Sequence, residues 1–172
     1  MTLTEYEAWL RDRGVRLIDK ADSPFSKVLD RLVRIVTFGA QKRFMTQYAT
    51  TIGRTVYLPS NWRTRTEASR HITLRHEAVH VAQFERYTLV GASLIYLLPF
   101  FPLGLAYGRA RLEWEAYAET FRATAELCGE AAARDPALRE RVVRQFTSGA
   151  YGWMWPFPGQ VNAWIDDLLK DL

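Results

Sequence analysis

A long run of residues without a charged side chain occupies positions 87–108 of this 172-residue chain. The run is long enough to cross a bilayer once as a helix, whereas two crossings would need roughly 40 apolar residues. It therefore either crosses once, which would put the chain before and after it on opposite sides of a membrane, or folds back on itself. These two outcomes lead to different folds.

The string HEAVH, residues 76–80, comes just before this run. Residues four apart share one face of a helix, so His76 and His80 can direct both imidazoles at one metal ion. Glu77 is adjacent to the first histidine and can reach a water on that ion. Two of the chain's 3 histidines lie in this string, which argues against chance. The alternative is an accidental match on a solvated helix face.

Two histidines are an incomplete site, because a catalytic zinc uses three protein ligands and leaves a fourth position for water. The next predicted helix carries three candidate carboxylates, Glu113, Glu115 and Glu119. The alternative for Glu113 is a surface carboxylate that pairs with Arg109. A single membrane crossing would separate His80 from any of these ligands. We therefore expect the uncharged run to fold back, with a turn at Pro99 and Pro102.

The chain resembles the gluzincin-type zinc metallopeptidases, in which HExxH is followed by a glutamate on a downstream helix. In the integral-membrane and soluble peptidases that share an E-x-x-A-D element, this glutamate lies three residues before the alanine, which corresponds to Glu113 here. Tyr117 replaces the usual aspartate of that element. Gln83 and Tyr117 instead match short bacterial zincin-like proteins with HExxHxxQ and a downstream E-x-x-A-Y. The resemblance covers roughly residues 49–120.

The resemblance implies a zinc-dependent hydrolase that cleaves a peptide or protein substrate. One Zn²⁺ would be held by His76, His80 and Glu113. Glu77 would be the general base that takes a proton from water and passes it to the leaving amine. Tyr117 is a candidate hydrogen-bond donor to the developing oxyanion. Other candidates for that donor are His71, Arg109 and Tyr151.

Zincins place a sheet before the active-site helix, and its edge strand binds substrate in extended form. The segment ATTIGRTVYLP, residues 49–59, is placed to supply that strand. We assign substrate binding by strand addition to Thr55, Val56 and Tyr57. We expect the Gln83 side chain to face solvent; the alternative is that it orients a zinc ligand. We expect His71 to be a capping or surface residue.

We expect a predominantly helical α+β fold in one minimal zincin-like domain, residues 1–172. Capping-box spacing of Thr2 and Glu5 predicts a first helix, and Ser23-Pro24 and Asp135-Pro136 predict the starts of two others. The β-branched and aromatic content predicts strands at 15–19, 44–51 and 54–59. The segments in chain order are N-terminal helices (1–40), a small β region (41–60), the HExxH helix (66–87), an apolar hairpin (88–108), the third-ligand helix (109–128) and C-terminal helices (129–172).

Two interpretations of the hairpin, residues 88–108, stay open. It is either buried against the domain's own core, or its apolar tip enters a membrane interface or contacts a protein partner, assisted by Arg86, Arg109 and Arg111 at its base. A basic run before the HExxH helix, formed by Arg63, Arg65, Arg70 and Arg75, is interpreted as a solvated face, with phosphate binding or contact with acidic lipid as the alternative.

Composition limits the remaining classes of function. A net charge of +4 is too small to indicate a nucleic-acid partner. A single cysteine excludes an internal disulfide framework and a cysteine-rich zinc ribbon. The N-terminal residues lack an apolar core segment, so we expect no signal peptide and a cytoplasmic location, with peripheral membrane association left open.

Two functions compete with the hydrolase. One is a non-catalytic binding or effector-associated module with this fold, and the other is a membrane-associated helical adaptor in which HExxH is accidental.

Overall fold

The computed structural model describes residues 1–24, 26, 44–97, 106–148 and 154–172. These residues are mostly helical with one three-stranded sheet, which confirms the predicted α+β class. They form two compact units, Met1–Glu85 and Arg86–Leu172. Each unit has an apolar core of its own. The expectation of one zincin-like domain stays a prediction.

The first unit begins with helix α1 (Leu3–Asp12), which the capping box at Thr2 starts. The Thr2 hydroxyl accepts a hydrogen bond from the Glu5 backbone N–H, and a Glu5 carboxylate oxygen accepts one from the Thr2 N–H at 2.7 Å. Gly14 follows the helix with a φ of 77°, a conformation that favours glycine. Strand β1 (Arg16–Asp19) comes next, so the predicted first helix and first strand are both confirmed.

The sheet continues with β2 (Thr50–Ile52) and β3 (Thr55–Leu58), joined by a turn at Gly53, and its strand order is β1-β3-β2. Strand β3 pairs in parallel with β1 and antiparallel with β2, so it is the central strand. The edge position predicted for Thr55, Val56 and Tyr57 is therefore wrong, because both sides of β3 already have partners. The two outer strands of the described sheet are β1 and β2.

Residues Phe44–Gln47 form a turn of helix, α2, where the sequence analysis predicted a strand over 44–51. The carbonyl oxygens of Met45 and Thr46 accept hydrogen bonds from Ser60 and Arg65, outside any strand pairing. Local tertiary bonding has overridden strand propensity here. The helix predicted from Ser23-Pro24 lies almost entirely outside the described residues. At its start, the Ser23 hydroxyl accepts a hydrogen bond from the Ser26 N–H at 3.1 Å.

A short 3₁₀ turn (Trp62–Thr64) leads into α3 (Glu67–Leu97), whose first part confirms the predicted HExxH helix. Thr66 precedes α3, and its hydroxyl accepts a hydrogen bond from the Ser69 N–H. Thr88 has a non-helical backbone and divides α3 into residues 67–87 and 89–97. The first part covers the core of the first unit, which consists of Leu3, Leu10, Val15, Val56, Leu58, Trp62, Leu74 and Val81.

The second unit contains α4 (Tyr107–Cys128), α5 (Glu130–Ala133), α6 (Pro136–Thr147) and α7 (Pro158–Lys170). Asp135 caps α6 through a hydrogen bond from the Ala137 N–H to its carboxylate, as its position before Pro136 predicted. The fully buried residues of its core include Ala110, Phe121, Phe146, Met154, Val161 and Ile165. Met154 and Trp155, which precede α7, also pack into this core.

The described ends of the uncharged run lie against each other. A Cβ atom on Gly108, in the first turn of α4, would come within 2.7 Å of the Ile95 side chain. Ile95 therefore packs closely on the start of α4, in agreement with a run that folds back. The predicted turn at Pro99 and Pro102 lies outside the described residues. Within the described part of the chain, no helix has both the length and the apolarity needed to cross a membrane.

Candidate metal centre

His76 and His80 lie one turn apart on α3. Their ring centroids are 5.0 Å apart with an interplanar angle of 75°, and both side chains are partly buried. Since the helix is continuous from Glu67 through these positions, the i,i+4 spacing places both imidazoles on one face, as the HExxH motif predicted.

Glu113 is a buried carboxylate on α4, with only 4% of its surface exposed. The alternative of a surface carboxylate is therefore wrong. Burial of an ionised carboxylate is costly unless charged or polar groups compensate for the lost hydration. Glu115 differs: its side chain is 39% exposed and lies 4.0 Å from that of Arg86.

One nitrogen from each of His76 and His80 and one carboxylate oxygen of Glu113 all lie within 4.8 Å of one another. In a tetrahedral zinc site with bonds of about 2.0–2.1 Å, ligand atoms are about 3.3 Å apart. The ligand atoms that are furthest apart would therefore have to approach each other by at most roughly 1.5 Å to bind a zinc ion, and side-chain rotations can provide this change. Two imidazoles and one carboxylate form a donor set that zinc accepts. The described residues thus fit the ion.

Gln83 is buried, with 4% of its surface exposed, and its side chain contacts His80. The expectation that Gln83 faces solvent is wrong. Its Oε1 lies 2.9 Å from His80 Nδ1. An amide oxygen can only accept, so Nδ1 carries the proton and the lone pair of the neutral ring is on Nε2. This hydrogen bond fixes the tautomer that a metal ligand at Nε2 needs.

Glu77 is buried on α3, and its carboxylate forms a hydrogen bond with a residue of strand β2. The Thr51 hydroxyl donates a hydrogen bond of 2.6 Å to Glu77 Oε2. Sequence reasoning did not single out Thr51. The only available signal was the predicted strand at 44–51, which is correct for residues 50 and 51 but gave no partner for the Thr51 side chain.

The other residues predicted to donate to the oxyanion or to bind substrate have the following contacts. His71 is buried, and its ring centroid lies 4.9 Å from that of Tyr6 in the first unit, so its interpretation as a surface residue is wrong. The Tyr117 ring packs against Phe146 at a centroid distance of 5.6 Å. The Thr55 hydroxyl accepts hydrogen bonds from Arg16. Tyr151 lies outside the described residues.

The basic run before α3 is not one uniform solvated face. Arg63 is exposed, but Arg65 is partly buried and donates hydrogen bonds to the Asn61 side chain and to the Thr46 carbonyl. Burial lowers the pKa of Arg65 from its ordinary value. Arg65 therefore helps to fix the segment before β2.

Comparisons with models of known protein families, with curated proteins and with solved structures found no match.

Proposed function

We propose that this chain is a zinc-dependent, metallopeptidase-like hydrolase whose ion is held by His76, His80 and Glu113. The observation that carries the proposal is the convergence of their three ligand atoms within 4.8 Å. The burial of Glu113 supports it, because a carboxylate removed from water is stabilised by a cation.

A bound zinc ion would supply Lewis acidity, which lowers the pKa of water and polarises a carbonyl group. Glu77 takes the proton of the attacking water and transfers it to the leaving amine. The hydrogen bond from Thr51 fixes the orientation of the Glu77 carboxylate for both transfers. Gln83 keeps the lone pair of His80 on Nε2. Tyr117 remains the proposed donor to the oxyanion.

The proposed substrate is a peptide or protein segment in extended form. Strand β2 has β3 on one side in the sheet order β1-β3-β2, and it carries Thr51, which contacts Glu77. A substrate strand added along the outer side of β2 would therefore run past the general base. This replaces the assignment of substrate binding to Thr55, Val56 and Tyr57.

Metal content tests the ligand set. We expect about one zinc per chain in the wild-type protein after incubation with the metal and gel filtration, measured by elemental analysis. Glu113→Ala should retain much less zinc, because it removes one of three ligands. Glu115→Ala is the matched control on the same helix and should retain the wild-type amount. Absence of zinc from the wild type, or equal loss in both variants, would refute the site.

Glu77→Gln then separates catalysis from binding. This variant keeps the size of the side chain and the accepting oxygen but removes the base. Zinc content should stay unchanged, while hydrolysis of a fluorogenic peptide library should fall by a factor of about 10² or more. A zinc-loaded wild type that is no faster than Glu77→Gln would instead favour the non-catalytic binding module.

A further inference from the structure

Three large apolar side chains are exposed on residues 89–97, the short helical segment after Thr88. Leu89, Val90 and Leu94 are between 51% and 68% exposed. Val90 and Leu94 are four apart and share one face of this helix. Single exposed apolar residues are ordinary on protein surfaces. Leu89 lies next to Val90 in the chain, so three large apolar side chains are exposed within two helical turns, and a concentration of exposed apolar groups usually marks an interaction site.

Two aromatic side chains extend this surface. The segment packs against the start of α4 through Ile95 and Gly108, so the neighbouring Leu94 and Tyr107 lie at the same end of the second unit. The ring of Tyr107 contacts that of Trp155, which in turn contacts Phe157. Tyr107 and Phe157 are 47% and 45% exposed. We call Leu89, Val90, Leu94, Tyr107 and Phe157 the apolar patch.

Cationic side chains border the apolar patch. Arg111 is exposed and lies one turn after Tyr107 on the same face of α4. Arg86 precedes the segment, and its side chain is 64% exposed. The contact of Arg86 with Glu115 is 4.0 Å long, and an exposed pair of this kind contributes little stability. The border of the patch therefore presents positive charge beside apolar and aromatic groups.

We propose that the apolar patch docks on the surface of an anionic lipid bilayer. Leucine and valine side chains enter the boundary between headgroups and acyl chains, where apolar area is removed from water. Tyrosine is typical of the headgroup level. Each arginine close to an anionic surface adds roughly 1 kcal/mol of attraction, equivalent to about a fivefold change in affinity. Arg86 and Arg111 favour an anionic lipid surface over an apolar protein surface, because only the lipid surface carries negative charge that attracts both exposed arginines.

Vesicle co-sedimentation of the full chain tests the proposal. We expect binding to phosphatidylcholine vesicles that contain phosphatidylserine, and at least about tenfold weaker binding to phosphatidylcholine alone. The double variant Val90→Ser/Leu94→Ser should bind the anionic vesicles at least about tenfold more weakly than wild type. Arg111→Glu should weaken binding about fivefold or more. Arg122→Glu, an equal charge change further along α4, is the control and should bind as wild type does.

The arginine variants keep the test valid if the double variant does not fold, because Arg111 and Arg122 are both exposed. Absence of binding by the wild type, or equal binding by Arg111→Glu and Arg122→Glu, would overturn the proposal. Analytical ultracentrifugation tests whether a second copy of the chain binds the apolar patch instead. A wild-type dimer that becomes a monomer in Val90→Ser/Leu94→Ser, without vesicle binding, would assign the patch to a second copy of the chain. Neither result depends on zinc or on hydrolysis.

Discussion

His80 illustrates how one neighbouring side chain determines whether a histidine can bind a metal. Neutral imidazole has one protonated and one unprotonated nitrogen, and the hydrogen bond at one nitrogen determines which is free. Gln83 Oε1 is 2.9 Å from Nδ1, so it selects the tautomer with the lone pair on Nε2. The HExxHxxQ spacing made this contact foreseeable, because residues three apart are neighbours on a helix. The burial of Gln83 was not foreseeable, since it depends on distant segments.

Substitution of Gln83 should change zinc affinity according to whether the new side chain accepts a hydrogen bond. Gln83→Leu removes the acceptor and should weaken zinc binding by about tenfold to a hundredfold, the usual effect of losing a partner of a ligating histidine. Gln83→Glu keeps an acceptor of the same length and is the matched control. Competition with a chromogenic chelator measures both affinities. Wild-type affinity in Gln83→Leu would show that the Gln83 contact does not influence the metal.

The contact between Thr51 and Glu77 shows a limit of prediction from sequence. The two residues are 26 positions apart, and their hydrogen bond exists because β2 lies beside α3 in the folded unit. The motif identified Glu77 by its local spacing, but nothing in that spacing indicates which strand reaches it. Contacts of this kind follow from tertiary packing and not from a periodic pattern.

At the scale of elements, the correct predictions are those with local signals. The capping box at Thr2 and the Asp135-Pro136 pair each start a helix through hydrogen bonds within a few residues. The two errors concern the sheet. Strand β3 is central because Thr55 pairs with Arg16, 39 positions earlier, and no local pattern specifies such a partner. The segment Phe44–Gln47 became a helical turn because its carbonyls found partners outside the sheet.

Thr88 carries backbone strain where the helical residues 67–87, which contain HExxH, meet the exposed segment 89–97. Its φ of 62° with ψ of 164° falls in a region that is essentially reserved for glycine and costs other residues about 1–3 kcal/mol. The Thr88 hydroxyl also accepts a hydrogen bond from the Gly91 N–H, so it caps the next helical turn. Loss of such a cap to glycine costs only a few tenths of a kcal/mol.

Thr88→Gly should therefore stabilise the fold by about 1 kcal/mol, the relieved strain less the cap and the extra chain entropy of glycine. Thr73→Gly is the matched control, because Thr73 lies in the regular part of the same helix. That variant should lose about 0.5 kcal/mol through helix propensity. Urea denaturation gives both free energies of unfolding. Equal destabilisation in the two variants would show that Thr88 is not strained in solution.

At the scale of the whole molecule, few charged side chains are buried among the residues that the structure describes, and the groups that stabilise each buried charge differ. Lys20 is fully buried, and its ammonium group donates hydrogen bonds to the Tyr48 carbonyl and the Thr50 hydroxyl, which compensate for its burial. Glu77 and Glu113 are buried carboxylates, and Glu113 lies close to the two histidines of the motif. If a zinc ion compensates for the burial of Glu113, folding and metal binding are coupled.

This coupling predicts that zinc raises the melting temperature. A ligand that binds only the folded state, at a free concentration 100 times its Kd, adds about 2.7 kcal/mol to the free energy of unfolding. A chain of this size gains about 2–4 °C per kcal/mol, so the expected shift is roughly 5–10 °C. Calorimetry of metal-free protein with and without zinc measures this shift.

His76→Ala should abolish the shift in melting temperature, because it removes a ligand. His71→Gln changes the third histidine, which packs against Tyr6, and should keep the shift even if its starting melting temperature is lower. Equal shifts in both variants would mean that zinc stabilises this chain through other residues, and the assignment of the metal to α3 and α4 would fail.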